Sequence, residues 1–168
     1  MIPASHLDLL TGPLTAVVTT IGADGYPQSS AIWFMWEDGR LWYSTKHWAV
    51  KYRNVEARPE TSFLVLDPHD EFRYVEIRGT ASVGPDPGCA GRDRIRAKHG
   101  IAAGAPDPAA DARVIVTIEP VHVTVHGSAR GSGRLPFRNP GRSPPRWPPN
   151  GPALDLTGKM PGAPPPSR

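Results

Sequence analysis

Residues 1–127 of this 168-residue chain predict a mainly β domain, a small antiparallel barrel of six or seven strands with a crossing helix and short peripheral helices. Three observations carry the expectation. Short β-branched and aromatic runs recur with Gly, Asp and Pro turns between them, and one central stretch alone changes to a helical period. The length left after a Pro-rich end is set aside suits one core and not two. A closed or partly split barrel fits many short strands because closure removes exposed edges; a sandwich is the competing architecture.

The run Val17-Val18-Thr19-Thr20-Ile21 reads as a strand, and Asp24-Gly25 supplies the positive-φ residue of a tight hairpin. Pro27 opens the next strand, Gln28 to Glu37. Its faces separate as Ser29, Ala31, Trp33, Met35 and Ser30, Ile32, Phe34, Trp36, and both turn apolar toward the middle, which predicts burial on both sides. Asp38-Gly39 repeats the hairpin signal, and Leu41-Trp42-Tyr43-Ser44 makes a third strand. From Lys46 to Ala57, Trp48, Tyr52 and Val55 stand at i, i+4 and i+7, predicting an amphipathic helix across the barrel that Pro59 ends. Thr61 to Leu66 is a strand stopped by Asp67-Pro68, and Tyr74 to Val83 alternates as a half-exposed strand up to Gly84-Pro85. Arg92 to His99 suggests a short helix, followed by a loose connection to about Asp111. Val114 to Ile118 and Val121 to His126 read as two final strands interrupted by Glu119-Pro120.

Beyond Ser128 no hydrophobic period survives, and eleven prolines with scattered arginines predict a disordered Pro/Arg-rich tail over residues 128–168. Arg130, Arg134, Arg138, Arg142, Arg146, Lys159 and Arg168 face only Asp155, so the tail carries +6 and, the whole chain being +3, the body carries −3. An acidic body argues against nucleic acid as a partner of the folded domain. No apolar run approaches the roughly 18 to 20 residues that cross a bilayer, and Met1 to His6 lacks a secretion signal, so the expected compartment is the cytoplasm, with no membrane partner. Cys89 is the single cysteine, without metal-ligand spacing around it.

The sequence advertises no nucleophile elbow, paired-carboxylate signature, Walker loop or cysteine cluster. It shows instead Ser44-Thr45 at a strand end, running into a helix that carries Lys46, Lys51 and Arg53. A helix N-terminus with unpaired N–H groups, two hydroxyls and a lysine off the apolar face would hold a phosphate. The plainer reading is an ordinary cap and a solvated basic face. His122 and His126, four apart on a strand, read as surface histidines and not as a metal pair. Trp33, Trp36, Trp42 and Trp48 suit ring stacking and barrel filling equally.

The segments Asp24-Gly25-Tyr26-Pro27-Gln28-Ser29-Ser30-Ala31-Ile32-Trp33-Phe34, Leu41-Trp42-Tyr43-Ser44-Thr45 and Lys51-Tyr52-Arg53-Asn54-Val55 with Arg58-Pro59 resemble the pyridoxamine 5′-phosphate oxidase-like FMN-binding split barrels. They are most similar to the deazaflavin (coenzyme F-420) dependent branch. Tyr74 to Gly79 and Arg113 to Pro120 match the same order, so the resemblance covers about residues 7 to 127. It implies a homodimer of split barrels with two cofactors in grooves at the interface. The phosphate would be held by Ser44, Thr45, Lys51 and Arg53, with Asn54 in the same motif. Pro27, Gln28, Ser30 and Trp33 would border the ring, and Arg78 with Gly79 would reach the partner's cofactor. Ala49 stands where that branch often carries a basic residue. The implied function is hydride transfer between coenzyme F-420 and a small organic substrate, with position and water exclusion supplied by the protein. The alternatives are an FMN-dependent oxidoreductase on the same barrel and, in another class, a non-catalytic carrier of flavin, deazaflavin or haem.

Overall fold

One antiparallel sheet of seven strands is seen in the computed structural model, which describes residues 2–102 and 107–127. The strands are β1 (Thr15–Ile21), β2 (Pro27–Trp33), β3 (Met35–Glu37), β4 (Arg40–Lys46), β5 (Glu60–Asp67), β6 (Asp70–Pro85) and β7 (Arg113–His126). Their order across the sheet is β2-β1-β5-β6-β7-β4-β3. The two edge strands are consecutive pieces of chain with only Phe34 between them. The sheet therefore curls until its edges meet at that residue, which makes it a split barrel and not a sandwich. Among the described residues three α-helices accompany it: α1 (Leu7–Thr11), α2 (Val50–Ala57) and α3 (Ala90–Lys98). Among the described residues no helix is long and apolar enough to cross a membrane. The expected tail lies outside the described residues.

Period-two burial fixes the register. Ala16, Val18 and Thr20 of β1, Thr61, Phe63 and Val65 of β5, and Val75, Ile77, Gly79 and Ala81 of β6 all point inward. They meet Leu41 and Tyr43 of β4, Val116 and Ile118 of β7, and the fully buried Phe34, whose ring stands edge-on to Phe63 at 4.9 Å. Gly25 and Gly39 sit at φ +85° and +75° in the two hairpins, where their lack of a Cβ removes the steric penalty.

Four expectations are corrected. The run 28–37 is two strands, because Phe34 turns into the core and breaks the pairing. It is also not buried on both sides: Trp33 is 39% exposed and Ala31 exposed, with His99 against Trp33 on the outer face of β2. The helix begins at Val50 and not near Lys46; Trp48 lies ahead of it, exposed, and the residues α2 buries are Asn54 and Val55. The two final strands are one, β7. It passes Pro120 through a bulge: Arg78 faces His122 while Gly79 faces Pro120, leaving Val121 extra and 75% exposed. Gly79 makes this possible, as a Cβ there would stand 2.2 Å from the Glu119 carbonyl oxygen.

The N-terminal segment docks through charge as well as through Leu9 and Leu10 of α1. Arg73, 2% exposed, donates to Asp67 Oδ2 (2.7 Å), both carboxylate oxygens of Asp8 (3.0 and 2.5 Å) and the Ser5 carbonyl (2.6 Å). The hydrogen bond and charge of Arg73 hold the Asp8 carboxyl below the usual carboxylate range. His6 Nε2 donates to the His126 carbonyl at 2.9 Å, so in the neutral ring its Nδ1 accepts from the Ser5 hydroxyl, also at 2.9 Å.

Candidate functional site

A cavity of about 500 Å³ opens where the end of β2 approaches β4, α2 and α3. β2 contributes Ala31, Ile32 and Trp33; β4 contributes Ser44 and Thr45; α2 contributes Lys51. From the other side come Arg92, Ile95 and Arg96 of α3, Asp107 and Pro108 of the following connection, and Arg113 at the start of β7. Four predicted residues, Trp33, Ser44, Thr45 and Lys51, thus meet in one place.

Ser44 and Thr45 do not cap the helix as expected. They belong to β4, which runs on to Lys46 paired with Arg113; α2 starts behind Ala49, whose side chain makes no cap bond. The Ser44 hydroxyl donates to Asp86 Oδ2 at 2.9 Å. The same buried carboxylate accepts from the backbone N–H groups of Gly91 (2.7 Å) and Arg92 (3.1 Å), so Asp86 ties β4 to the first turn of α3. Thr45 is 8% exposed.

The charge on this wall is unbalanced. Asp107 Oδ2 pairs with Arg92 at 3.1 Å and Arg113 at 2.7 Å, and Arg92 also meets Asp93 at 2.8 Å. The backbone N–H of Ala109 and these arginines hold the Asp107 carboxyl far below its ordinary value. Lys51 and Arg96 form no ion pair among those described; burial pulls the Lys51 ammonium below the usual lysine value. Arg96 Nε is buried without a hydrogen-bond partner. Arg53, two residues from Lys51, is exposed, because two residues of a helix turn a side chain through about 200°.

Trp33 is held flat against the His99 ring, centroids 4.1 Å apart and planes 14° from parallel. Burial and the neighbouring Lys98 charge keep that imidazole below the usual histidine value, and its Nε2 is buried without a partner. Lys98 itself sits over the Phe34 ring at 4.1 Å and donates to the carbonyls of Leu10 (3.0 Å) and Phe34 (3.1 Å). With no carboxylate among those contacts, burial lowers its pKa to about 8.

The other predicted residues lie outside the cavity lining. Asn54, 6% exposed, donates from Nδ2 to Thr20 Oγ1 (3.0 Å) and Gln28 Oε1 (3.1 Å), locking α2 onto β1 and β2. Ser29, Thr19, Ser62, Arg78 and His122 stand directly opposite one another across five strands. Arg78 therefore shares the outer face of the sheet with Ser29 and, by period two, with Pro27 and Trp33, while Gln28 and Ser30 face the other way. Arg78 lies 3.7 Å from Glu76, and Gly79 serves the β6–β7 approach at the bulge. His122 and His126 are exposed, and no His, Cys, Asp and Glu cluster among the described residues could hold a metal ion. The residues missed from sequence are those of α3, Asp107 and Arg113. Arg92 and Arg96 at i and i+4 on one helical face were the available signal.

An anionic cofactor fits this chemistry. A desolvated lysine, an arginine with an orphaned buried nitrogen and a buried threonine converge on a cavity walled by Ile32, Ile95, Pro108 and the Trp33 indole.

Residues 2–127 match the family model described as pyridoxamine 5′-phosphate oxidase. Among solved structures, one described as an F420 reductase is 31% identical, covering 73% of this chain and 98% of its own with a TM-score of 0.70. A conserved hypothetical protein from Mycobacterium tuberculosis is 25% identical, covering 85% of this chain and 94% of its own with a TM-score of 0.66. General Stress Protein 26 from Bacillus anthracis shares the fold, with 24% identity over 73% of this chain and 91% of its own and a TM-score of 0.57. No curated protein matches. With three quarters of its length inside the family model and the split barrel in place, the chain belongs to the pyridoxamine 5′-phosphate oxidase family, which includes oxidoreductases.

Proposed function

We propose that this protein is a cytoplasmic F-420-dependent oxidoreductase that moves a hydride between the deazaflavin and a small organic substrate. The observation that carries the reading is the cavity itself. Lys51, without a counter-ion among the described residues, stands beside a planar Trp33 platform in a chain 31% identical to an F420 reductase. Lys51 and the Thr45 hydroxyl bind the phosphate; Trp33, fixed by His99, borders the ring; Ile32, Ile95 and Pro108 exclude water. When bound, the cofactor supplies the hydride chemistry, and the protein supplies placement.

The working unit is a homodimer. The outer face of β2, exposed at Pro27, Ser29 and Ala31, and the row through Arg78 offer the surface on which a second copy would bring Arg78 toward its partner's cofactor. FMN is the second reading, favoured by the family model and by Ala49, where a basic residue would add a phosphate contact.

Parallel titration of the protein with reduced F-420 and with FMN, followed by fluorescence, tests the proposal. Preferential F-420 binding that weakens about tenfold in Lys51→Ala is the expected result. FMN preference would move the chain to the flavin branch. Tight binding of either without substrate-dependent oxidation would make it a carrier.

A further inference from the structure

We infer that the α3 side of the cavity is a second anion subsite, built on Arg96 with Arg92 and Arg113, so that the occupant carries two separated anionic groups: one on Lys51 and one, a carboxylate or phosphoryl, on the α3 arginines. Asp107 is the resident counter-ion that this second group displaces or shares. The subsite stands on charges and contacts, and holds whichever ring the cavity takes.

Four cations and one carboxylate line this cavity. Lys51 reaches it from α2, and one phosphate there leaves three arginines on the opposite wall. Asp107 balances Arg92 and Arg113 with a side chain 7% exposed, in the place a bound carboxylate would take between two guanidiniums. Among the described residues Arg96 has no ion-pair partner, and its Nε is buried and unbonded; Arg73 Nε is unbonded too, but that guanidinium is answered by Asp8 and Asp67, whereas Arg96 meets no carboxylate. A fixed arginine with an open donor in a cavity is a receptor for a planar or tetrahedral oxyanion. Asp86 holds the wall in place by binding the first turn of α3 and Ser44 at once, so Arg92 and Ile95 are presented by a helix anchored to β4.

Inorganic phosphate is the probe, followed by calorimetry and by the Trp33 indole N–H resonance, assigned by its loss in Trp33→Phe. Wild type is expected to take phosphate at two sites. Lys51→Ala removes one, and Arg96→Gln removes the other by weakening it about tenfold or more, with Arg96→Lys intermediate. Asp107→Asn, which frees Arg113 and leaves Arg92 with Asp93 alone, is expected to tighten the second site several-fold, and it carries the test should Arg96→Gln fail to fold. A single phosphate site abolished by Lys51→Ala and indifferent to Arg96→Gln, or no tightening in Asp107→Asn, overturns the subsite and leaves the proposed function standing. Two phosphate sites in a protein that binds no F-420 keep the subsite and sink that function. Reduced F-420 with and without its acidic tail separates the sources: an Arg96→Gln penalty confined to the tailed form assigns the subsite to the cofactor, and no penalty on either form assigns it to an anionic substrate.

Discussion

Two buried charge clusters sit in this small barrel, and they are built on opposite principles. Around Arg73 one guanidinium meets two carboxylates and a carbonyl through its terminal nitrogens, so that its charge is answered within the chain although its Nε is left unbonded. Around the cavity Asp107 answers Arg92 and Arg113, Asp93 also meets Arg92, and Lys51 and Arg96 meet no carboxylate among the described residues. A charge taken from water must be answered, and where the chain does not do it, a ligand can. The first arrangement fastens the N-terminus to the β5–β6 hairpin; the second is what a site for anions looks like before its ligand arrives.

The largest expected effect separates the clusters directly. Arg73→Met takes the guanidinium away from the Asp67 and Asp8 carboxylates and should cost about 3–5 kcal/mol of folding stability in urea denaturation, with phosphate affinity of the folded fraction unchanged. Loss of stability and of anion affinity together would mean that the clusters are coupled and the contrast is false. Next, saturating phosphate should stabilise the wild type by about 2.7 kcal/mol at a hundred times its dissociation constant, read as a rise in melting temperature. Smaller again, Lys51→Ala should weaken phosphate binding by about 1.4 kcal/mol while leaving the phosphate-free melting temperature unchanged or raised, since one of several like charges is gone. A phosphate-free melting temperature that falls would make Lys51 a structural residue.

The smallest effect is set by pH. Lys98 holds its proton more weakly folded, at about 8, than unfolded, near 10.5. The unfolded chain binds more protons in that window, so stability rises from about pH 8 toward 10.5. Screening of a half-exposed amine limits the gain to about 1 kcal/mol. Burial pushes the Tyr43 phenol above its ordinary 10, so above pH 10 the unfolded chain ionises first and stability falls. Melting temperature against pH should therefore pass through an alkaline maximum, and Lys98→Met should flatten the rising limb.

Strand alternation was legible because β1, β5 and β6 keep period two, and α3 was visible from its composition. Phe34 was not: a buried aromatic within an apolar run looks the same whether the strand continues or breaks, and only pairing to β1 on one side and β4 on the other distinguishes them. Ser44, Thr45, Lys51 and Trp33 were readable because they belong to short local motifs. Arg96 and Arg113 were not, since their approach to Lys51 depends on the whole circuit of β5 and β6. The Arg73 cluster was hidden likewise, joining residues 65 apart in sequence. A five-residue α1 is too short to show a period at all.

Phe34 has a consequence for solubility. It is the joint between the two edges of the sheet, held by Lys98 on its carbonyl and over its ring. Cleaving one peptide bond there would release two strand ends in a single event, turning a curled sheet into an open template for cross-β growth. An intact chain at Phe34 keeps those two edges joined.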